Sequence, residues 1–294
     1  MSQKSVILFF NNLRGLEVLN YLLKKKDIKI LKIILAEKYL NKEILKKIKN
    51  KIKKINIHIL NKNKLNSKNK IFNIKTDLFI LCGFPYILKK ELFNIPKFGT
   101  LNLHAGPLPN YRGGSPLNWQ IINGERKIGL SIIKINTKID GGSLINQKFF
   151  KLKKNQDIKD VHKIANKIFP EMLYRSIRKI TCFKKPFIKK NNYLSKYYKQ
   201  RTYKDGQIFW RKFDNKRIYN LVRAITTPYP GAFTYNSERK KIIILKVSIS
   251  KKKLSQLKLG QVLKNNNHIF IKTRNGTIQV NRKIGKFRNL EILK

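Results

Sequence analysis

Five short apolar runs dominate the first third of the chain: Ser5 to Phe10 (SVILFF), Ile28 to Leu35, Asn56 to Leu60, Leu78 to Cys82 (LFILC) and Gly99 to His104 (GTLNLH). Helical spacing fills the gaps at Leu16 to Leu23 and at the lysine-rich Asn41 to Ile55. Strands buried on both faces read as continuous apolar runs, and joining them through helices gives right-handed crossovers. The pattern predicts an α/β fold built on a doubly wound, parallel sheet. Gly15 does not belong to a G-x-G-x-x-G fingerprint, so a classical dinucleotide site is not expected. Helical patterns at Ser115 to Asn123 and Asp157 to Thr181 flank a strand at Leu130 to Ile135. Residues 184–203 are polar, aromatic and irregular, and read as a linker between a 1–183 domain and a 204–294 domain. The latter carries a helix at Asp214 to Ile225. Short alternating strands follow around 231–235, 242–247, 261–271 and 277–280, a β-rich and barrel-like pattern.

The 294 residues carry 67 Lys and Arg against 15 Asp and Glu, a formal charge of +52, with 41% hydrophobic residues. That apolar content excludes a disordered basic tail. Lysine outnumbers arginine 54 to 13, and there are only five alanines. A site chosen for phosphate geometry favours arginine's planar fork. The excess is therefore read first as A/T-rich codon composition written onto solvated faces, with a selected polyanion surface as the alternative. Two cysteines, Cys82 and Cys182, make neither a disulfide framework nor a cysteine-based zinc site. No apolar run reaches the ~18 residues a membrane helix needs, and no signal peptide is recognisable. A cytoplasmic protein without membrane insertion is the expectation.

The stretch Leu101 to Asn118, LNLHAGPLPNYRGGSPLN, is where chemistry concentrates. An apolar strand ends in Asn102-x-His104, whose side chains share one face. Polar groups leaving the carboxyl end of a strand sit where open α/β sheets place active sites. Asp140 follows the next strand at a sharp Asp-Gly-Gly turn. A neutral imidazole is a base near pH 7, a carboxylate can orient it, and an amide N–H can donate to an oxyanion. No Ser or Cys stands in a nucleophile elbow, so the set fits direct acyl transfer between two bound substrates. Bland alternatives stand beside this: Asn102 as a strand-end turn residue and Asp140-Gly141 as a hairpin turn.

These residues resemble the 10-formyltetrahydrofolate-dependent formyltransferases. The match runs through Asn102-x-His104, Tyr111-Arg112-Gly113-Gly114, Pro116 to Trp119, Asn123-Gly124-Glu125, Gly129, Asp140-Gly141-Gly142 and Gln147. A second block, Asp205 to Trp210, Ile218 to Ala224 and Pro228 to Thr234, resembles the start of that family's C-terminal domain. The resemblance implies a Rossmann-like domain for folate and catalysis joined to a smaller β domain. It implies catalytic roles for Asn102, His104 and Asp140, with 10-formyltetrahydrofolate as formyl donor and no metal. It places Gly83, Phe84, Tyr86, Ile87 and Ile139 at the pterin, held largely through backbone groups. Tyr111 and Arg112 are expected at the acceptor substrate, where the planar guanidinium of Arg112 suits nucleotide phosphates. For Arg112 a loop-ordering role is the alternative.

Two acceptors compete within the resemblance. Enzymes acting on methionyl initiator tRNA carry a Gly/Pro/Arg-containing insertion after the second strand. Here that segment is Ala36 to Glu43, with no Gly, Pro or Arg. Gly114-Ser115-Pro116-Leu117-Asn118-Trp119 and Thr227 to Phe233 are similar instead to the lipid-A aminoarabinose formyltransferase domain. The expected acceptor is the amine of a nucleotide-linked amino sugar, with initiator tRNA the alternative.

Overall fold

The computed structural model of the protein describes residues 2–52, 54–66, 68–182 and 196–294. In chain order the elements are β1 (Lys4–Phe10), α1 (Leu13–Leu22), β2 (Ile28–Ala36), α2 (Lys42–Lys51), β3 (Asn56–Leu60), β4 (Leu78–Cys82), α3 (Lys90–Phe93), β5 (Thr100–His104) and β6 (Arg112–Gly113). Then come α4 (Pro116–Ile122), β7 (Lys127–Lys134), β8 (Ser143–Lys151), α5 (Ile158–Cys182), β9 (Tyr197–Tyr198) and α6 (Asn215–Ile225). The last five are β10 (Ala232–Tyr235), β11 (Lys241–Ser250), β12 (Val262–Asn265), β13 (His268–Thr273) and β14 (Gly276–Ile284). The chain forms two compact units that interleave in sequence. One is Met1–Gly113, Gly129–Phe149 and Lys163–Tyr197; the other is Gly114–Ile128, Phe150–His162 and Tyr198–Lys294.

The first unit is built on a seven-stranded sheet of order β3-β2-β1-β4-β5-β7-β8. Strands β1 to β5 pair in parallel, with Leu8 opposite Ile33 on one side and Ile80 on the other. Flanked on both edges, β1 and β4 bury nearly every residue, and all five residues of β4 are enclosed. Phe9, Phe72 and Phe79 form the aromatic centre of this core, with ring centroids 5.2–6.1 Å apart.

The sheet departs from the all-parallel expectation at its far end. Strand β7 runs antiparallel to β5, with His104 opposite Ser131, and β8 adds an edge that the sequence pattern did not announce. Only Leu144 and Ile145 of SLINQKFFK are buried in β8. An edge strand with so short an apolar stretch lacks the continuous run that marks an interior one. Helix α2 is also shorter than the expected Asn41 to Ile55. Asn41 caps it by accepting from Ile44 N at 3.1 Å, and Ile44 and Ile48 are its buried residues. Ile52, at the C-cap, continues that buried face, and the helix ends at Lys51.

In the second unit the five strands β10 to β14 form an antiparallel sheet of order β10-β11-β14-β13-β12. Residues 290–294 close it. Val262 N donates to Glu291 O at 2.9 Å on one edge, and Lys294 N donates to Tyr235 O at 2.8 Å on the other. A sheet whose two end strands share one bridging segment is barrel-like, as the strand pattern predicted. Helix α6, N-capped by Asp214, buries Ile218, Leu221, Val222 and Ile225 at helical spacing. Asn118 of α4 donates to Ala224 O at 2.7 Å. Of the expected 184–203 linker, residues 184–195 lie outside the described residues.

Candidate active site

Strand β5 lies between β4 and β7, so its carboxyl end delivers Asn102 and His104 to one rim of the sheet. His104 Nδ1 lies 3.4 Å from Asp140 Oδ1, and Asn102 Nδ2 donates to that same oxygen at 3.4 Å. Two side chains from a strand end thus converge on one carboxylate oxygen from a distant turn. The other oxygen, Oδ2, accepts from Gly113 N at 2.9 Å. Asp140 sits at φ +47°, a left-handed conformation that Asp tolerates better than most side chains. Asn136 builds the turn that sets it there, accepting from Lys138 N at 2.9 Å and donating to Gly141 O at 3.0 Å.

The second ring nitrogen is fixed as well. His104 Nε2 lies 2.6 Å from Tyr111 O. A carbonyl oxygen can only accept, so in the neutral ring Nε2 carries the hydrogen and Nδ1 keeps its lone pair towards Asn102 and Asp140. The sequence reading gave the orienting role to Asp140; the geometry adds the Tyr111 carbonyl as the acceptor that selects the tautomer. The loop between them is tight. A Cβ on Gly106 would lie 2.8 Å from His104 Nε2 and 3.0 Å from Tyr111 O. Ser131 Oγ ties this loop to β7, donating to Gly106 O at 2.7 Å and accepting from Leu108 N at 3.1 Å. Gln147 donates to both Leu108 O and Ser131 Oγ.

His104 is 5% exposed. Burial pushes its pKa below the usual histidine value; the Asp140 carboxylate and the Tyr111 carbonyl oppose that, while the Arg14 and Arg112 guanidinium groups add to it. Arg14 is itself buried, donating from Nε to Asn166 Oδ1 at 3.3 Å with its guanidinium 4.8 Å from the Phe169 ring centroid. Arg112 donates from Nε to Ile139 O at 2.9 Å, the carbonyl just before Asp140. That contact ties β6 to the loop ahead of Asp140.

Beside this cluster lies a cavity of about 430 Å³. Phe84, Tyr86, Ile87, Asn102, Ile139 and Asp140, all expected at the site, line it together with Leu81, Leu88 and Ile135. Gly83, His104, Tyr111 and Arg112 are not among its lining residues. Gly83 has φ +66°, and a Cβ there would meet Asn12 Nδ2 at 2.2 Å, so its place is the turn out of β4. Two rings of the wall are held by the sheet core: Phe84 lies 5.4 Å from Phe9 and 5.7 Å from Tyr86. Ile87 and Ile139, both lining the cavity, are 74% and 48% exposed. Cys82, at the end of β4, is an enclosed thiol, its pKa pushed up to about 12 by burial against an opposing pull from Arg14. Among the described residues no three His, Cys, Asp or Glu side chains are placed to hold a metal ion.

The sequence reading did not find the Tyr111 carbonyl, the Gly113 N–H or Arg14. The first two are backbone groups, which leave no side-chain signature. Arg14 stands next to Leu13 and Leu16 in a helical pattern that reads as surface.

Residues 36–177 match the formyl transferase family model, and residues 201–286 match the model of the formyl transferase C-terminal domain. The bifunctional polymyxin resistance protein ArnA of Wigglesworthia glossinidia brevipalpis is 40% identical over 185 residues, 60% of this chain and 27% of that protein. A methionyl-tRNA formyltransferase of Geotalea uraniireducens is 33% identical over 165 residues, 56% of this chain and 52% of that one. The chain thus spans about half or less of the length of these curated relatives. The crystal structure of an N-formyltransferase from Helicobacter canadensis in complex with folinic acid and dTDP-3-aminofucose superposes with a TM-score of 0.70. It covers 96% of this chain and 100% of that one at 19% identity, a likeness of fold.

Proposed function

The chain belongs to the formyl transferase family, and from that premise we propose that it moves a formyl group from 10-formyltetrahydrofolate to the primary amine of a nucleotide-linked amino sugar in the cytoplasm. The observation that carries the transfer is the convergence of Asn102 and His104 on Asp140 Oδ1, with Asn102 and Asp140 lining the cavity of about 430 Å³. The cavity's apolar walls, with Ile87 and Ile139 facing solvent, fit a pterin ring. Bound there, 10-formyltetrahydrofolate supplies an activated one-carbon unit.

The chain's residues then divide the work. His104 Nδ1, holding the free lone pair, takes a proton from the acceptor amine as its nitrogen forms a bond to the formyl carbon. The imidazolium so formed has Asp140 Oδ1 beside Nδ1 and Tyr111 O beside Nε2, an acceptor for each hydrogen. Asn102 Nδ2 donates to the oxyanion on the tetrahedral carbon. His104 returns the proton to the nitrogen that loses the formyl group, and the C–N bond to it breaks. Arg112 keeps Ile139 and hence Asp140 in place from the side.

The amino-sugar acceptor is supported by the short link after β2. Glu37–Tyr39 makes a single 3₁₀ turn leading to α2, without the Gly/Pro/Arg insertion of the tRNA enzymes. The Helicobacter canadensis enzyme, crystallised with dTDP-3-aminofucose, supports it at the level of fold. Initiator tRNA is the second reading, favoured by the Geotalea uraniireducens relative. The test is transfer from 10-formyltetrahydrofolate to methionyl initiator tRNA and to UDP- and dTDP-linked amino sugars, run side by side. Sugar formylation without tRNA formylation is expected. The reverse would overturn the acceptor, and no transfer to any amine would overturn the reaction.

A further inference from the structure

The second unit contains a cavity of about 130 Å³ whose walls include Ser115, Gln200, Arg201, Thr202, Tyr229 and Gly231. Arg201 lines it, and the Nε of that residue is buried with no hydrogen-bond partner among the described residues. The guanidinium's recorded neighbour is the Trp119 ring, 5.6 Å from Cζ to centroid. The carboxylate whose charge it feels, Asp205, is committed elsewhere. Asp205 Oδ2 accepts from Thr202 N at 2.6 Å and Thr202 Oγ1 at 3.2 Å, and Oδ1 lies 3.4 Å from Lys199 Nζ. Burial lowers the pKa of Arg201, with Asp205 and Tyr229 opposing from a distance.

Arg201 itself is half-buried, but an Nε–H removed from water without a hydrogen-bonded partner is costly, and folded proteins seldom leave one so. The group is also held in position. Gln200 Nε2 and Arg201 N both donate to Ser115 Oγ, at 2.9 and 3.3 Å, fixing the Gln200 side chain and the Arg201 amide. Trp119 Nε1 donates to Lys199 O at 3.0 Å, which fixes the ring on which the guanidinium rests. The cavity exceeds the ~30 Å³ share of one water molecule. A planar fork of N–H donors in a small, preset space matches a bidentate oxyanion.

We propose that this cavity is an oxyanion-binding site in which Arg201 grips a phosphate or carboxylate group of a small ligand. The assignment is independent of the formyl-transfer reading, since none of its residues takes part in that chemistry. The +52 charge offers many weak anion sites, so the experiment must read Arg201 itself. The arginine ¹⁵Nε–¹Hε resonances of the full chain, followed by NMR at fixed ionic strength, do that. The Arg201 signal is assigned through its own backbone, or by its loss in Arg201→Lys. Inorganic phosphate and acetate are titrated separately. A saturable shift of this resonance with phosphate assigns a phosphate-bearing ligand, and one with acetate a carboxylate. Followed at the backbone amide of the adjacent Thr202, Arg201→Lys should weaken the binding about tenfold or more, the loss expected for a charge-assisted fork. Arg239→Lys, on an exposed turn, should not. An Arg201 resonance that moves with neither anion, or moves only in step with the exposed arginines, overturns the proposal.

Discussion

His104 is the residue on which most of the chemistry turns, and its surroundings make the sign of its pH behaviour definite. Its pKa lies below the usual 6.5, chiefly through burial. The acid limb of kcat/KM should therefore fall below the ordinary histidine range, since the neutral ring is the working form. Replacing Arg14 by Met removes one of the two cations that push His104 downward, and should move that limb to higher pH. An unmoved limb would show that Arg14's charge does not reach the ring. The same shift enters stability. As pH falls through about 6.5 the unfolded chain takes up the proton first, so folded-state stability is lost from there down to the lower folded pKa. His58, also lowered by burial, adds in the same direction. Denaturant titrations of wild type and His104→Gln across that window should show a smaller loss in the variant. His104→Ala should cut turnover by on the order of 10²–10⁴, the usual contribution of a general base.

At the scale of elements, strand β5 and the loop that follows it were the most legible part of the sequence. GTLNLH reads as a strand because it is apolar on both sides of Asn102, and the structure starts it one residue later at Thr100. Strand β8 was not legible, because a single buried pair, Leu144 and Ile145, gives no periodicity to read. The antiparallel run of β7 escaped for another reason. Strand direction belongs to pairing, and a run such as KIGLSIIK is equally apolar either way round. The side chains of the candidate site were found from spacing and resemblance together. The Tyr111 carbonyl and Gly113 N–H were not, because any residue type supplies them. Gly106 shows what the loop contributes. Alanine there would press against His104 Nε2 and the Tyr111 backbone. Gly106→Ala should therefore lower kcat by more than its change in melting temperature accounts for. A loss of activity that simply follows the loss of folded protein would remove Tyr111's carbonyl from the mechanism.

For the whole molecule the decisive quantity is charge, because 15 carboxylates cannot neutralise 67 cations. The barrel of the second unit shows the consequence locally. A cleft of about 690 Å³ is lined by Lys240, Lys241, Lys264, Lys283, Lys286 and Arg288, with Glu238 as its one carboxylate. Burial lowers the Lys283 pKa, and the Lys264 and Lys286 ammonium groups lower it further, so these cations repel one another in the folded state. Repulsion of this kind opposes the compact state and is relieved by screening, whose range falls from ~30 Å at 0.01 M salt to ~8 Å at 0.15 M. The melting temperature should accordingly rise as sodium chloride is raised over that interval. Lys264→Gln combined with Lys286→Gln should raise it at low salt and shrink the salt dependence. Formylation of an amino sugar should be untouched by that pair of changes, since the reacting groups all lie in the first unit. If the same changes abolish transfer to initiator tRNA while tRNA is the better acceptor, the lysines are selected for a polyanion rather than inherited from codon composition. A melting temperature indifferent to salt would instead mean that the cations stand far enough apart for water alone to separate them.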